Sequence, residues 1–250
     1  MTHGSEIIVV GQLLHQVTSH PAWVSAREFV ELPPWPGYKV SAKRLVNLYR
    51  ARYAYRRGHT KLRSYPAKLT VEAANVCNLR CPACFTGIRE SGRVRSMMSL
   101  ELYRKLLAEL GDYLFEVEFY NWGEPLLSKY IYTMIDETVQ HGISTTISTN
   151  FSIPFDAAKA ERLVSSGLAV LGVSIDGARQ ESYEKYRVRG DLDLVLRNCR
   201  LVAAAKQRLA SKTPRMVWEF HVFEHNVEDV DLAKAMAQEL GMELSLDKGA

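Results

Sequence analysis

From Lys68 onward the chain alternates strand-like with helix-like segments, and this alternation restricts the fold of its 250 residues more than any other feature. Lys68 to Val76 is rich in β-branched and apolar residues. Phe115, Val117 and Phe119 alternate with Glu116 and Glu118, the two-residue period of a strand. Further strands are expected at 143–148, 168–175, 215–223 and 242–246. Leu100, Tyr103, Leu106, Leu107 and Leu110 make one helical face within Ser99–Leu110, and Leu127, Ile131, Met134 and Ile135 make another within Leu127–His141. Gly111, Gly142, Gly167 and Gly241 each follow a helix and precede a strand, where a left-handed glycine closes a helix without steric cost. Strands separated by helices call for a parallel sheet with right-handed crossovers. The sixth strand has no helix after it, so the expectation is a sheet open at that edge or a chain that is a fragment.

Residues 1–65 lack the repeat and are read as an irregular extension with one or two helices. Leu32-Pro33-Pro34-Trp35-Pro36-Gly37 marks a linker or turn. Residues 32–71 hold ten Lys or Arg and no Asp or Glu, which leaves 22 basic against 28 acidic residues elsewhere. With Tyr49, Tyr53 and Tyr55 among the arginines, one reading is a nucleic-acid or anionic-lipid surface. The other, preferred because charge patterning alone identifies no ligand, is a basic helix over about 41–55 lying across an acidic body. No apolar run is long enough to span a bilayer, and the N-terminus lacks signal-peptide flanks, so a cytoplasmic location is expected.

Cys77, Cys81 and Cys84 fall within one short loop, VCNLRCPACF, and the only other cysteine is Cys199. In a reducing compartment such a group serves metal or redox chemistry more often than disulfides. A structural zinc site takes four protein ligands. Cys199 shares an apolar helical stripe with Val195, Leu196 and Val202, the pattern of a buried thiol. An iron–sulfur cube with one iron left open needs three thiolates, which this loop supplies. The loop follows the first strand, at the end of a parallel sheet where active sites gather.

CNLRCPAC resembles the cluster loop of the radical S-adenosylmethionine superfamily. NWGEPLL at 121–127, STN at 148–150 and SIDG at 174–177 resemble its strand-end motifs in order and spacing. YRVRGDLDLVLRN at 186–198 is similar to the branch that often carries a cysteine-rich C-terminal domain of the SPASM type. The resemblance covers about 66–250 and implies an α/β fold, a partial (β/α)6 TIM-like barrel of parallel strands that stops after its sixth strand. It also implies a 4Fe-4S cluster on Cys77, Cys81 and Cys84, with S-adenosylmethionine chelating the fourth iron. Reductive cleavage would then yield a 5′-deoxyadenosyl radical that takes a hydrogen from a substrate, with electrons from a flavodoxin or ferredoxin.

By the same resemblance, Gly123 and Glu124 match the edge whose backbone meets the cofactor's amino group, although Gly123 and Pro125 equally suit a turn into a helix. Ser148 and Asn150 match cofactor contacts, while Asn150 also suits a cap or turn. Ser174 and Asp176 resemble ribose or carboxylate contacts, against a plain turn at Asp176-Gly177. Arg187 resembles the arginine that pairs with the cofactor carboxylate, and Arg189 is not separable from it in sequence. Asn226 is a weaker candidate; His221 and His225 are read as ordinary histidines. Two positions depart from the family pattern: Ala83 stands where an aromatic often precedes the third cysteine, with Phe85 two residues on, and Trp122 replaces one glycine of the strand-two motif. A metal-stabilised binding module holding zinc, or a truncated relative without catalysis, is the alternative. Peptides, sugars and other small molecules all remain open as substrates.

Overall fold

The computed structural model describes residues 32–34, 36–89 and 92–248. Six strands, β1 (Lys68–Thr70), β2 (Glu116–Glu118), β3 (Ser144–Thr149), β4 (Val170–Ser174), β5 (Arg215–Val222) and β6 (Glu243–Lys248), lie in chain order, each parallel to its neighbour. A helix α1 (Ala42–Arg56) precedes them. The crossovers carry α2 (Leu100–Leu110), α3 (Ile131–Gln140), α4 (Ala157–Ser165), the pair α5 (Gln180–Tyr186) and α6 (Leu192–Arg208), and α7 (Val230–Glu239). Six parallel strands in sequential order are the arrangement of an incomplete (β/α) barrel. Among the described residues no helix is long and apolar enough to cross a membrane.

The strand residues sort by parity. Val117, Ile147, Leu171, Val173, Trp218 and Phe220 are buried in one core with helix residues such as Tyr103, Met134, Leu163 and Cys199. The alternate residues are mostly polar, with Val170, Gly172 and Val217 as exceptions, and the polar ones meet each other on the opposite face. Thr146 Oγ1 donates to Glu116 Oε1 at 2.7 Å, and Thr70 Oγ1 to Glu118 Oε2 at 3.0 Å. Ser148 Oγ on β3 donates to Glu219 Oε2 on β5 at 2.5 Å, across the intervening β4. In a flat sheet those two strands stand about 10 Å apart. The polar face is therefore the concave one, and the helices cover the convex one.

Several local expectations change. The first strand is 68–70, not 68–76: Ala74 bridges Met97 antiparallel, and Met98 N and Asn75 N bond Ala73 O and Ser96 O. The returning 96–98 segment thus takes the backbone groups that would have extended β1 beside β2. The second helix starts at Ile131, after a 3-10 turn over Pro125–Leu127. Gly142, Gly167 and Gly241 have positive φ, but Gly111 is right-handed at φ −56°. A Cβ at Gly111 would stand 3.2 Å from His141 Nδ1, so close packing explains the glycine there. In the breaker, bends fall at Pro34, Pro36 and Gly37, while Trp35 and the extension's residues 1–31 lie outside the described residues.

The basic helix is present as α1, capped by Ser41, whose Oγ accepts from Arg44 N. Its anchor is Arg44, a buried arginine. Nη1 donates to Lys39 O (2.5 Å) and Gly142 O (2.6 Å), and Nη2 to Gly111 O (3.1 Å) and His141 O (2.8 Å). One guanidinium thereby answers carbonyls at the ends of both α2 and α3, which no neutral side chain of its length can do. Lys43 adds an exposed pair with Asp112. Removing a donor from buried acceptors costs their full desolvation, so Arg44→Ala is expected to lose about 3 kcal/mol in urea unfolding. The exposed Arg50→Ala should stay within about 0.5 kcal/mol. Equal losses in the two variants would count against the clasp.

Candidate active site

The cysteine loop leaves β1 and folds into consecutive turns. Cys84 N bonds Cys81 O at 3.2 Å, and Ile88 N bonds Cys84 O at 2.9 Å. Gly87 packs so closely that a Cβ would lie 2.4 Å from Cys81 O, which fixes a glycine there. Cys81 is buried, Cys77 and Cys84 are partly so, and all are free thiols. Cys77 Sγ accepts from Leu79 N at 3.4 Å and from Asn150 Nδ2 at 3.5 Å. Burial pushes the Cys77 thiol up to about 11 and raises Cys81, while Arg187 beside Cys81 works in the opposite direction. Such thiols become thiolates when a metal takes the place of the proton.

The donor set fits an iron–sulfur cube. It offers three sulfurs on one loop, with N–H groups aimed at one of them, and sulfur hydrogen bonds are among the features that set a cluster's potential. Cys199 is fully buried in α6 within the hydrophobic core, and burial raises its thiol to about 12.

Three strand ends are tied around Cys77. A Cβ on Gly123 would fall 1.7 Å from Ala74 O, so the backbone after β2 lies directly on the exit of β1. Glu124 N bonds Val76 O at 2.8 Å. The Glu124 carboxylate is buried and accepts from Leu126 N (3.0 Å), Thr149 Oγ1 (2.7 Å) and Asn150 N (2.8 Å). Its side chain therefore points into the scaffold. Asn150 Oδ1 accepts from Ser152 N at 2.9 Å, forming a turn that aims Nδ2 at Cys77.

Asp176 and Arg187 form a second assembly. Arg187 Nε donates to Asp176 Oδ2 at 2.5 Å, and His221 N donates to Oδ1 at 2.8 Å. His221 Nδ1 lies 3.1 Å from the same oxygen, and Asn226 Nδ2 donates to Asp176 O at 3.0 Å. Burial alone would raise the Asp176 carboxyl, but the His221 hydrogen bonds and the Arg187 charge outweigh it and hold it below its usual value. The two arginines that the sequence left unresolved are now separated. Arg187 turns inward, between Asp176 and Cys81, whereas Arg189 is exposed at φ 74°.

Ser148 and Ser174 come together on the concave face, but around a residue that the sequence did not single out. Both donate to Glu219 Oε2, at 2.5 and 3.1 Å. Asn226 and His221 also prove to be part of the Asp176 network. Phe85 and Trp122 meet edge to face with ring centroids 5.0 Å apart, and Cys84 Sγ lies 3.7 Å from Trp122 O. An aromatic pair thus stands beside the third cysteine although Ala83 precedes it.

The model of the Radical SAM superfamily matches residues 71–233. Among curated proteins, the chain is 31% identical over 127 residues to an Fe-coproporphyrin III synthase of Methanosarcina barkeri, covering 49% of this chain and 31% of that one. It is 26% identical over 187 residues to the mycofactocin maturase MftC of Mycobacterium ulcerans, covering 73% and 47%. The chain thus spans less than half the length of these two relatives. Streptococcus suis SuiB bound to S-adenosylmethionine superposes with a TM-score of 0.64 at 15% identity, over 98% of this chain and 52% of SuiB, a likeness of fold. With the family model matched across the cysteine loop and strands β2 to β5, the chain belongs to the Radical SAM superfamily, whose members use a 4Fe-4S cluster and S-adenosylmethionine.

Proposed function

We propose that this protein is a radical enzyme that cleaves S-adenosylmethionine reductively and removes a hydrogen atom from a substrate. One observation carries the reading: three free thiols on the loop at the strand ends, with Asn150 aimed at one and Arg187 beside another. When bound, the cluster supplies the electron and S-adenosylmethionine the carbon radical. The chain's own residues hold and orient these groups. Cys77, Cys81 and Cys84 anchor the cluster, and Asn150 and Arg187 stabilise negative charge on two of its sulfurs. The backbone at Gly123 and Glu124 forms the edge against which the cofactor's amino group rests. Asp176 keeps Arg187 oriented, and the Phe85–Trp122 pair stands beside the third cysteine. Free thiols suit a reducing compartment, the cytoplasm, with a flavodoxin or ferredoxin as electron donor.

The protein reconstituted anaerobically with iron and sulfide should be brown, bleach with dithionite, and form 5′-deoxyadenosine from S-adenosylmethionine. Colourless protein carrying one zinc would establish the binding-module alternative instead. Cys81→Ala should lose most of its iron and its formation of 5′-deoxyadenosine. Cys199→Ser should leave the iron content unchanged, and a loss of iron there would mean a fourth protein ligand.

Gly123→Ala tests the strand-two edge. Its Cβ cannot sit 1.7 Å from Ala74 O, so the edge must move. Displacements of this size cost roughly 100-fold in rate. The variant is expected to lose S-adenosylmethionine binding in equilibrium dialysis and to hold less iron than the wild type; unaltered binding would remove Gly123 from the cofactor edge.

A further inference from the structure

The concave face of the sheet carries chemistry that cluster binding does not use. Glu116, Glu118 and Glu219 lie on it, and Lys68 stands beside the first two. Lys68 Nζ stands 2.6 Å from Glu118 Oε1 and 3.3 Å from Glu116 Oε2, so two carboxylates share that cation. Glu219 has none among the described residues. Its Oε2 is held by the Ser148 and Ser174 hydroxyls, which are donors without charge. Its Oε1 occupies the space left by Gly172, where a Cβ would lie 2.2 Å away. A glycine in mid-strand weakens packing, so this one makes room for the carboxylate.

One further atom on this face lacks a hydrogen-bond partner. Ser144, paired in register with Glu116, is 1% exposed, and its Oγ receives no hydrogen bond. Buried polar atoms of this kind are rare and point to a group that the protein itself does not supply. Tyr120 donates to Glu118 Oε1 at 2.7 Å; burial raises its phenol most, and the Glu118 hydrogen bond and the charges of Glu118, Glu219 and Glu116 raise it further.

We propose that Glu219 seats an organic cation, the ammonium or guanidinium group of the substrate, on the concave face below the cysteine loop. A carboxylate oxygen with fixed hydroxyl neighbours and no counter-ion gains a charge-assisted hydrogen bond from such a group, whereas a neutral or anionic group there adds a desolvation or repulsion cost. Ser148 lies two residues before Asn150, about 7 Å along a strand. The seat is thus within a short side chain's length of the residue that touches Cys77. The proposal takes its reaction from the radical reading above, but the seat stands on these contacts alone.

The test is calorimetric titration of the reconstituted holoprotein with three end-blocked tripeptides, Gly-Lys-Gly, Gly-norleucine-Gly and Gly-Glu-Gly, and with n-butylammonium. The lysine peptide should bind at least about tenfold tighter than the norleucine peptide, and the glutamate peptide weakest. Butylammonium binding as tightly as the lysine peptide makes the substrate a small amine; weaker binding makes it a peptide side chain. Glu219→Gln should abolish the lysine preference. Gly172→Ala, whose methyl displaces Oε1, should do the same if the glutamine variant fails to fold by circular dichroism. Equal binding of lysine and norleucine peptides, or a preference that survives in both variants, overturns the seat. So does a Glu219→Gln protein that loses S-adenosylmethionine binding alone, which would place Glu219 in the cofactor cradle. Wild-type protein that forms no 5′-deoxyadenosine overturns the radical reading whichever peptide it prefers.

Discussion

A carboxylate taken out of water must have its charge answered locally, and at Glu124 three hydrogen bonds answer it. Burial raises this carboxyl, while the Thr149, Asn150 and Leu126 donors and the Arg187 charge oppose the rise. The donors come from the turn after β2 and from the end of β3, and Glu124 N holds Val76 at the exit of β1. Three loops that are far apart in sequence thus meet in one arrangement beside Cys77. Gly123 lets them approach, because its missing side chain leaves space for Ala74 O. An alanine at Glu124 would leave three donors without an acceptor and release the loops from each other.

The opposite side of the cysteine loop is held by a different interaction. Asp176 and Arg187 are a buried ion pair, and removing one member of such a pair costs about 3–5 kcal/mol through the charge left behind. His221 and Asn226 extend the pair to β5 and the turn after it. Arg80 N bonds Val188 O at 3.0 Å, so the segment after α5 that carries Arg187 is fastened to the loop between the first two cysteines. Cys77 is therefore placed by β1 to β3 and Cys81 by β4 and β5. Together the two assemblies fix where the sulfurs of the loop stand.

Much of this was legible in the sequence, for physical reasons that differ by residue. Cysteines at close spacing cannot be mistaken for core, and Gly142, Gly167 and Gly241 before strands are favoured by backbone geometry. The alternation of Phe115, Val117 and Phe119 with Glu116 and Glu118 identified β2 and its apolar face. It did not show that the acidic face turns inward, because a strand facing water and a strand facing a barrel lumen read alike. Glu219 was hidden for the same reason. It becomes meaningful only when curvature brings β3 and β5 together over Gly172. The length of β1 was misjudged because β-branched residues favour extended backbone without specifying a partner, and the 96–98 segment supplied another one. Arg44 appeared as one charge among ten, and its burial follows from tertiary contacts with α2 and α3.

The two faces of the sheet contribute unequally to stability. Val117, Ile147, Val173, Trp218 and Phe220 point to the helices and bury apolar surface, which drives folding. Their neighbours in sequence point to the lumen, where they contribute little to the core. A change at Thr146, Ser148 or Glu219 therefore alters the polar lining of the lumen while leaving the apolar layer intact. Gly172 is the exception, since any side chain there occupies the place of the Glu219 carboxylate. The lining can accordingly change through single residues of one strand parity, with the cysteine loop and the helical layer unchanged.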